Sequence, residues 1–485
     1  MASYRITKRC VRGFRIIRMV RICIWIIAAL IFIPPWSSYG EEQKAVVLAG
    51  TLNALLPRDA AWALEVIAMD TGKTIISMGN AKDKPLTPGS LVKLVTTGAV
   101  LDYASKNNSL DMTTRILYDG GISNGVVTGN VCLVGRGNGL LTTRDIEAAV
   151  QSIAGRGVTK ISGDIIADDT AFDAKGLERT RKGTGYAPPS ALGMDLHTAA
   201  VQVLPTNPGK PPEIRMEPPN DEVRLAISAR TLSVMRGNVE ITQIGDTSYS
   251  ITGNIPEDSG KVKKRFSLQD PALYAAGTLK TLLNKAGISI GGRVSKGKAP
   301  EQATILADMR AQELDGLLRD MNVNSLNVVA DNLLLLLGGA AYGFPGTLGK
   351  GSRAVNEFLS RLGFAPDEYV IGDGSGLSSD NAVSAKFLAR YLQKVSKQPW
   401  SRVFRESLPR AGTEGTLRNI GFTDPRFRAK TGKLENAFGL AGYGTDRSGR
   451  EIVFSYMVNV NAADVRGLEK SGAEIMRYLA TEGVL

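Results

Sequence analysis

The sequence predicts an α+β protein, an antiparallel sheet flanked by helices and interrupted by nested, mainly β-containing inserted domains. Three observations carry that prediction. A hairpin pattern and a long apolar helical segment stand near the start, over residues 63–103. The chain ends in strand, strand and helix patterns, over residues 428–480. Between them the texture changes to short strand-like runs, glycine turns and clustered prolines. The expected layout is therefore a leader over 1–40, a body in two parts (41–112 and 303–485), and inserted domains over 113–302. An inner β-rich insert is expected at about 200–264.

The leader carries Arg5, Lys8, Arg9, Arg12, Arg15, Arg18 and Arg21, with no acidic residue before Glu41. These seven cations account for more than half of the net charge of +12 and leave the rest of the chain at +5. That spread-out excess argues against a nucleic-acid binder and suits an anionic polymer or peripheral contact with a membrane surface. The apolar run Ile22 to Ile33 is too short for a confident transmembrane span. With small residues at Ser38 and Gly40, it reads as a secretory signal cleaved after Gly40, the alternative being an uncleaved anchor. Either way the body is expected to be exported. Cys10 and Cys23 leave with the signal, so Cys132 stands alone and no internal disulfide is expected. Its apolar strand-like setting marks it as a buried thiol rather than a nucleophile.

Ala63 to Ala68 and Thr74 to Met78 flank Asp70-Thr71-Gly72-Lys73 and read as a β-hairpin. Pro88-Gly89 opens a segment from Leu91 to Tyr103 that is apolar on most sides, as a helix buried in a core must be. Ser90 is placed at its N-terminus. Residues 145–157 read as helix and Lys160 to Ala167 as a strand. Pro205, Pro208, Pro211, Pro212, Pro218 and Pro219 exclude a helix or central strand there. Val223 to Ile255 is rich in Val, Ile and Thr with glycine breaks, an all-β pattern. Helix resumes at Glu313, with Val328 to Ala341 apolar enough to be buried. Arg428–Lys433, Leu440–Thr445 and Glu451–Asn459 read as strands, followed by a helix from Ala462 to Ala480.

Three short motifs stand on these elements in a fixed order: Ser90-Leu91-Val92-Lys93, Ser325-Leu326-Asn327 and Lys430-Thr431-Gly432. Ser90 and Lys93, three apart, share a helix face one turn apart. A helix N-terminus turns backbone N–H groups toward a developing anion. Lysine acts as a base only when neutral, which needs desolvation or a second nearby cation, and Lys430 supplies such a cation. Ser325 and Asn327 open a buried helix, where the bland alternative is that they only cap it. Glycine at 432 on a strand lets another backbone approach closely. Ser105-Lys106-Asn107 and Ser379-Asp380-Asn381 also match Ser-x-Asn; Ser325 is preferred because an apolar helix follows it, whereas Ser379 follows a glycine-rich turn. Ser295-x-x-Lys298 lies in a basic turn and is set aside. The single histidine, His197, is far in sequence from every motif, so a Ser-His-Asp arrangement is disfavoured.

Taken with Asp373-Gly374-Ser375-Gly376-Leu377-Ser378, Leu408-Pro409-x-Ala411-Gly412-x-x-Gly415-Thr416-Leu417, Ile161-Ser162-Gly163-Asp164 and Leu440-Ala441-Gly442-Tyr443, the motif trio resembles the D-alanyl-D-alanine carboxypeptidase/endopeptidases of the S13 peptidase family. These are low-molecular-mass penicillin-binding proteins, and the resemblance covers essentially the whole exported chain. It implies a serine β-lactamase/transpeptidase-like catalytic domain in the periplasm and a hydrolase acting on peptidoglycan stem peptides. It implies β-lactams as covalent inhibitors, and neither cofactor nor metal. By the same resemblance Ser90 is the nucleophile, Lys93 its base and Ser325 the proton shuttle. Asn327 holds the acyl amide, Lys430 and Thr431 bind the substrate carboxylate, and the N–H groups of Ser90 and Lys433 form the oxyanion hole. Gly432 completes the binding strand. The chain departs from the family at Lys433, where Thr or Ser is usual, at Ser379, where Arg is common, and at the basic segment Arg179–Lys182. The competing readings are a serine β-lactamase and a catalytically weak peptidoglycan-binding protein.

Overall fold

The computed structural model describes residues 36–107, 110–177, 185–245, 247–461 and 467–481. The leader up to residue 35 and the basic segment Arg179–Lys182 lie outside the described residues. Gly40, the expected cleavage point, falls within a helix, Trp36–Leu55.

A six-stranded antiparallel sheet forms the centre, in the order Thr74–Met78, Ala61–Ala68, Glu451–Asn459, Ala437–Thr445, Asp424–Leu434, Arg410–Ala411. The strand Ala61–Ala68 is buried on both faces because helices cover the sheet on each side. Its alternate residues divide between two cores. Leu64 and Val66 pack with Leu48 and Leu52 of the N-terminal helix and Ile475 and Leu479 of the C-terminal helix Leu468–Thr481. Ala63 and Ile67 face the other side, with Leu94, Leu333 and Tyr391. The first and last strands of the body thus lie side by side, with Leu64 opposite Tyr456. The short strand Arg410–Ala411 pairs only with the start of its neighbour, at Arg428 and Asp424. No described strand covers the outer edge from Lys430 to Leu434.

The helical layer holds Val92–Asn107, Leu314–Asn324, Asn327–Tyr342, Leu348–Arg361 and Ala385–Val395. The first is buried from Val92 to Asp102, as its apolar pattern requires.

Among the described residues, 113–302 supply all or most of the strands of four further sheets. Val294–Lys296, Ile165–Asp168, Val131–Val134 and Thr114–Tyr118 form a five-stranded sheet together with Thr304–Met309. Helices Thr143–Gly155 and Pro271–Lys285 pack in the same core as this sheet. The region 198–267 is all β, built on Thr198–Leu204, Asn238–Gly245 and Ser248–Pro256 among others, around its own small core of Val201, Val203, Ile251 and Ile255. One expected element is corrected. Lys160 to Ala167 is not one strand: Lys160–Ile161 and Ile165–Asp168 belong to different sheets. The break lies at Gly163, whose missing Cβ would sit 2.4 Å from the Gly129 carbonyl oxygen, so the chain turns in close contact with that segment. Cys132 is buried in Val131–Val134, where burial and the charges of Asp119 and Asp168 push its thiol up to about 11.

Candidate active site

The Ser90 turn is built by Gly89. Its φ of +52° belongs to the left-handed region that only glycine enters without strain, and a side chain there would crowd the Lys433 nitrogen at 3.1 Å. Residues Gly89–Leu91 form a single 3-10 turn, and the α-helix proper begins at Val92. Ser90 therefore sits just before the helix, half-buried, while Lys93 lies fully buried in its first turn. The Lys93 ammonium donates to Ser90 Oγ at 2.9 Å, to Asn327 Oδ1 at 2.7 Å and to the Ser375 carbonyl at 2.6 Å.

Ser325 lies between two helices. Leu314–Asn324 ends on it, Asn327–Tyr342 begins two residues later, and Ser325 takes a left-handed φ of +56°. A non-glycine residue held there carries backbone strain, and such strain collects at functional sites. The sharp corner turns its hydroxyl toward Lys430, whose ammonium donates to Ser325 Oγ at 3.0 Å and to the Thr431 carbonyl at 2.8 Å. Gly432 lets the strand approach the Ser90 turn, since a Cβ there would lie 2.2 Å from the Pro88 carbonyl oxygen. Lys433 is exposed, and its ammonium pairs with Glu469 Oε1 at 2.8 Å, on the C-terminal helix.

Two lysines, Lys93 and Lys430, are thus fully buried in one place. Desolvation, joined by repulsion from Lys93, holds the Lys430 ammonium well below the ordinary lysine range. The charge on Lys93 therefore acts against a charge on Lys430.

The structure brings Ser90, Ser325, Asn327, Thr431 and Lys433 to the wall of one cleft of about 790 Å³. Lys93 and Lys430 lie behind that wall, and Gly432 sits between the strand and the Ser90 turn. It does not bring the set-aside matches there. Ser379 is exposed outside the cleft lining, and Asn381 is turned inward to Asp373 at 3.0 Å. Lys296, next to Ser295, pairs with Asp169 at 2.7 Å. His197 is wholly buried elsewhere, its Nδ1 2.9 Å from the Pro188 carbonyl oxygen.

Sequence reasoning gave no role to the loop after Asp373. That buried carboxylate accepts from the N–H groups of Gly376, Leu377 and Ser378. It thereby folds the loop so that the Ser375 carbonyl meets Lys93, and Thr96 Oγ1 braces the loop at the Gly374 carbonyl at 2.8 Å. Gly376, with φ +90°, passes so near the Ser90 turn that a Cβ would lie 1.9 Å from the Gly89 carbonyl oxygen. The repeated Gly and Ser around an Asp were the available signal. Thr416, Phe438, Glu435 and Glu469 also line the cleft and were given no role from sequence. Thr416 stands in the Gly415-Thr416-Leu417 motif, which was its available signal; nothing in the local sequence marks the other three.

The family described as D-Ala-D-Ala carboxypeptidase 3 (S13) matches residues 48–479. The chain is 27% identical over 436 residues to the D-alanyl-D-alanine carboxypeptidase of Actinomadura sp. (strain R39), covering 85% of this chain and 78% of that protein. It is 25% identical over 390 residues to D-alanyl-D-alanine carboxypeptidase DacB of Haemophilus influenzae, covering 74% and 78%. Its fold is similar to that of penicillin binding protein 4 from Haemophilus influenzae, with a TM-score of 0.76 at 23% identity over 89% of this chain and 99% of that one. The same Haemophilus protein, solved in complex with a β-lactam, gives a TM-score of 0.73 at 22% identity, over the same shares of the two chains. With the match running from the N-terminal helix to the C-terminal one, the chain belongs to the D-Ala-D-Ala carboxypeptidase 3 (S13) family.

Proposed function

We propose that this chain is a serine-type D-Ala-D-Ala carboxypeptidase that also cleaves D-alanyl cross-links, working on exported peptidoglycan stem peptides through an acyl-enzyme on Ser90. The observation that carries the reading is Lys93 Nζ, fully buried and 2.9 Å from Ser90 Oγ, with Lys430 beside it. Neutral Lys93 takes the Ser90 proton as Oγ attacks the penultimate D-alanyl carbonyl. The tetrahedral oxyanion faces the N–H groups of Ser90 and Lys433, which Gly89 and Gly432 allow to lie close together. Ser325, held by Lys430, relays to the leaving amine the proton that Lys93 took from Ser90, so that Lys93 is neutral again as the C–N bond breaks, and water then hydrolyses the ester. Asn327, already bonded to Lys93, orients the acyl amide. The uncovered edge of the strand from Lys430 to Leu434 offers backbone groups to an extended peptide. Lys430 and Thr431 receive its terminal carboxylate.

A β-lactam presents the same carbonyl and carboxylate, so benzylpenicillin should acylate Ser90. Intact-mass measurement after incubation with benzylpenicillin should show one long-lived adduct in the native protein and none in Ser90→Ala. Rapid release of penicilloate would favour a β-lactamase instead. No adduct on the native protein would leave a wall-binding protein as the reading. The basic leader and apolar run support export to the periplasm, which fractionation of cells producing the full chain tests.

A further inference from the structure

The carboxylate end of the cleft holds a hydroxyl beyond those already assigned. Thr416 lines the same cleft as Ser325 and Thr431, and its Oγ1 lies 2.7 Å from Thr431 Oγ1, with Thr431 as the donor. A threonine hydroxyl has one proton. Thr431 spends its proton on Thr416, so in this arrangement the hydrogen free to meet a ligand is the one on Thr416. Thr416 is exposed to the cleft, whereas Thr431 is only 8% exposed.

The position is built rather than incidental. Thr416 sits in the 3-10 turn Gly415–Leu417, anchored by the fully buried Leu417. Gly415 has a φ of +44°, and a Cβ on it would lie 1.9 Å from the Val323 carbonyl oxygen, two residues before Ser325. Glu414 fixes the start of the turn by accepting from Arg319 at 3.0 Å and from the Arg410 N–H at 3.0 Å. The turn is therefore wedged between the Ser325 corner and the Lys430 strand. Lys430 Nζ lies at the same corner, 2.8 Å from the Thr431 carbonyl oxygen.

We propose that Thr416 is a substrate-binding residue of this site. It accepts the hydrogen bond of the Thr431 hydroxyl and donates its own O–H to the C-terminal carboxylate of the peptide, or to the equivalent carboxylate of a β-lactam, so that Thr431 acts on that carboxylate through Thr416. This inference rests on the acyl-enzyme reading above. A hydrogen bond to a charged group is the stronger kind, so its loss should be large and should depend on that charge.

The test compares benzylpenicillin with its methyl ester, which lacks the anionic carboxylate, in the native full-length protein, Thr416→Val and Thr416→Ser. The second-order acylation rate constant is followed by intact mass. Thr416→Val should slow benzylpenicillin about tenfold or more and leave the methyl ester within about twofold, and Thr416→Ser should restore the native rate. Equal losses with both compounds would reduce Thr416 to a structural support and overturn the proposal, as would an unchanged rate with benzylpenicillin. If the native protein forms an adduct, the acyl-enzyme reading stands whatever the variants do; if it forms none, both readings fall together.

Discussion

At the scale of single residues, chemistry was more legible in the sequence than position. Ser90, Lys93 and Lys430 stood out as candidates because a Ser-x-x-Lys on a buried helix and a Lys-Thr-Gly on a strand have few other uses in one chain. The partners that matter through backbone atoms left no such trace. The Ser375 carbonyl, 2.6 Å from Lys93, is contributed by a loop whose residue types say only that it turns. The choice between Ser325 and Ser379 shows the difference. The left-handed Ser325 aims its hydroxyl at Lys430, whereas Ser379 is exposed and Asn381 is spent on the Asp373 loop. Ser325→Ala should slow penicillin acylation about a hundredfold or more, the usual scale for a proton-transfer group, and Ser379→Ala should leave it nearly native. Stopped-flow quenching of a fluorescent penicillin measures both, and a reversed order would dismiss Ser325 as the shuttle. Lys93→Ala should match Ser90→Ala rather than add to it, because nucleophile and base act as one unit; the double variant read by the same assay checks this.

At the scale of elements, strong periodicity was readable and local exceptions were not. The hairpin, the buried helices and the terminal strands emerged within a few residues of their bounds, since each buries an apolar face that fixes its period. Lys160 to Ala167 failed because an apolar β-branched run does not reveal that its middle crosses between sheets at a glycine. The segment Asp195–His197 was equally silent. It holds three successive non-glycine residues at positive φ and buries an imidazole completely. Burial, only partly offset by the bond to the Pro188 carbonyl, lowers the His197 pKa to about 4, while in the unfolded chain it is about 6.5. The unfolded state therefore binds the proton first. Stability associated with His197 is complete above about pH 6.5 and is lost as the pH falls toward 4, by about 3 kcal/mol in all. Urea unfolding at pH 7, 5.5 and 4.5 should show a shallower loss for His197→Gln than for the native protein. Identical pH dependence in the two proteins would mean that the imidazole is not the group titrating. Penicillin acylation at pH 7 should survive the substitution.

At the scale of the whole molecule, a body split by an insertion could be read from the change of texture, but not the seam. Residues on either side of the insertion meet in one central sheet, and the order of its strands depends on contacts almost four hundred residues apart, such as Leu64 opposite Tyr456. No local pattern encodes such a pairing. Within the insertion, Leu204 and Val262 emerge from two antiparallel strands in which Val203 faces Val262. Replacing residues 205–261 by a short glycine-containing turn should therefore keep penicillin acylation within about threefold of native. The deletion should lower thermal stability, because Tyr249 and Met216 pack against the neighbouring core. A deletion that folds by circular dichroism but no longer acylates would place part of the site in the insert. The paired lysines carry the last consequence, one for evolution and engineering. A protein selected for robustness alone would not enclose two lysine side chains side by side, and this one does so at the proposed active site. Because the Lys430 pKa is depressed in the fold, the unfolded chain holds that proton more tightly, and native stability drops as the pH falls from above the ordinary lysine range through the depressed value. The active centre is thus a standing liability for the fold, tolerated for its chemistry. Lys430→Met should lose acylation and yet melt at a higher temperature than the native enzyme at neutral pH, a result that differential scanning calorimetry can deliver; a lower melting temperature would mean that the cation pair holds the structure together instead of straining it.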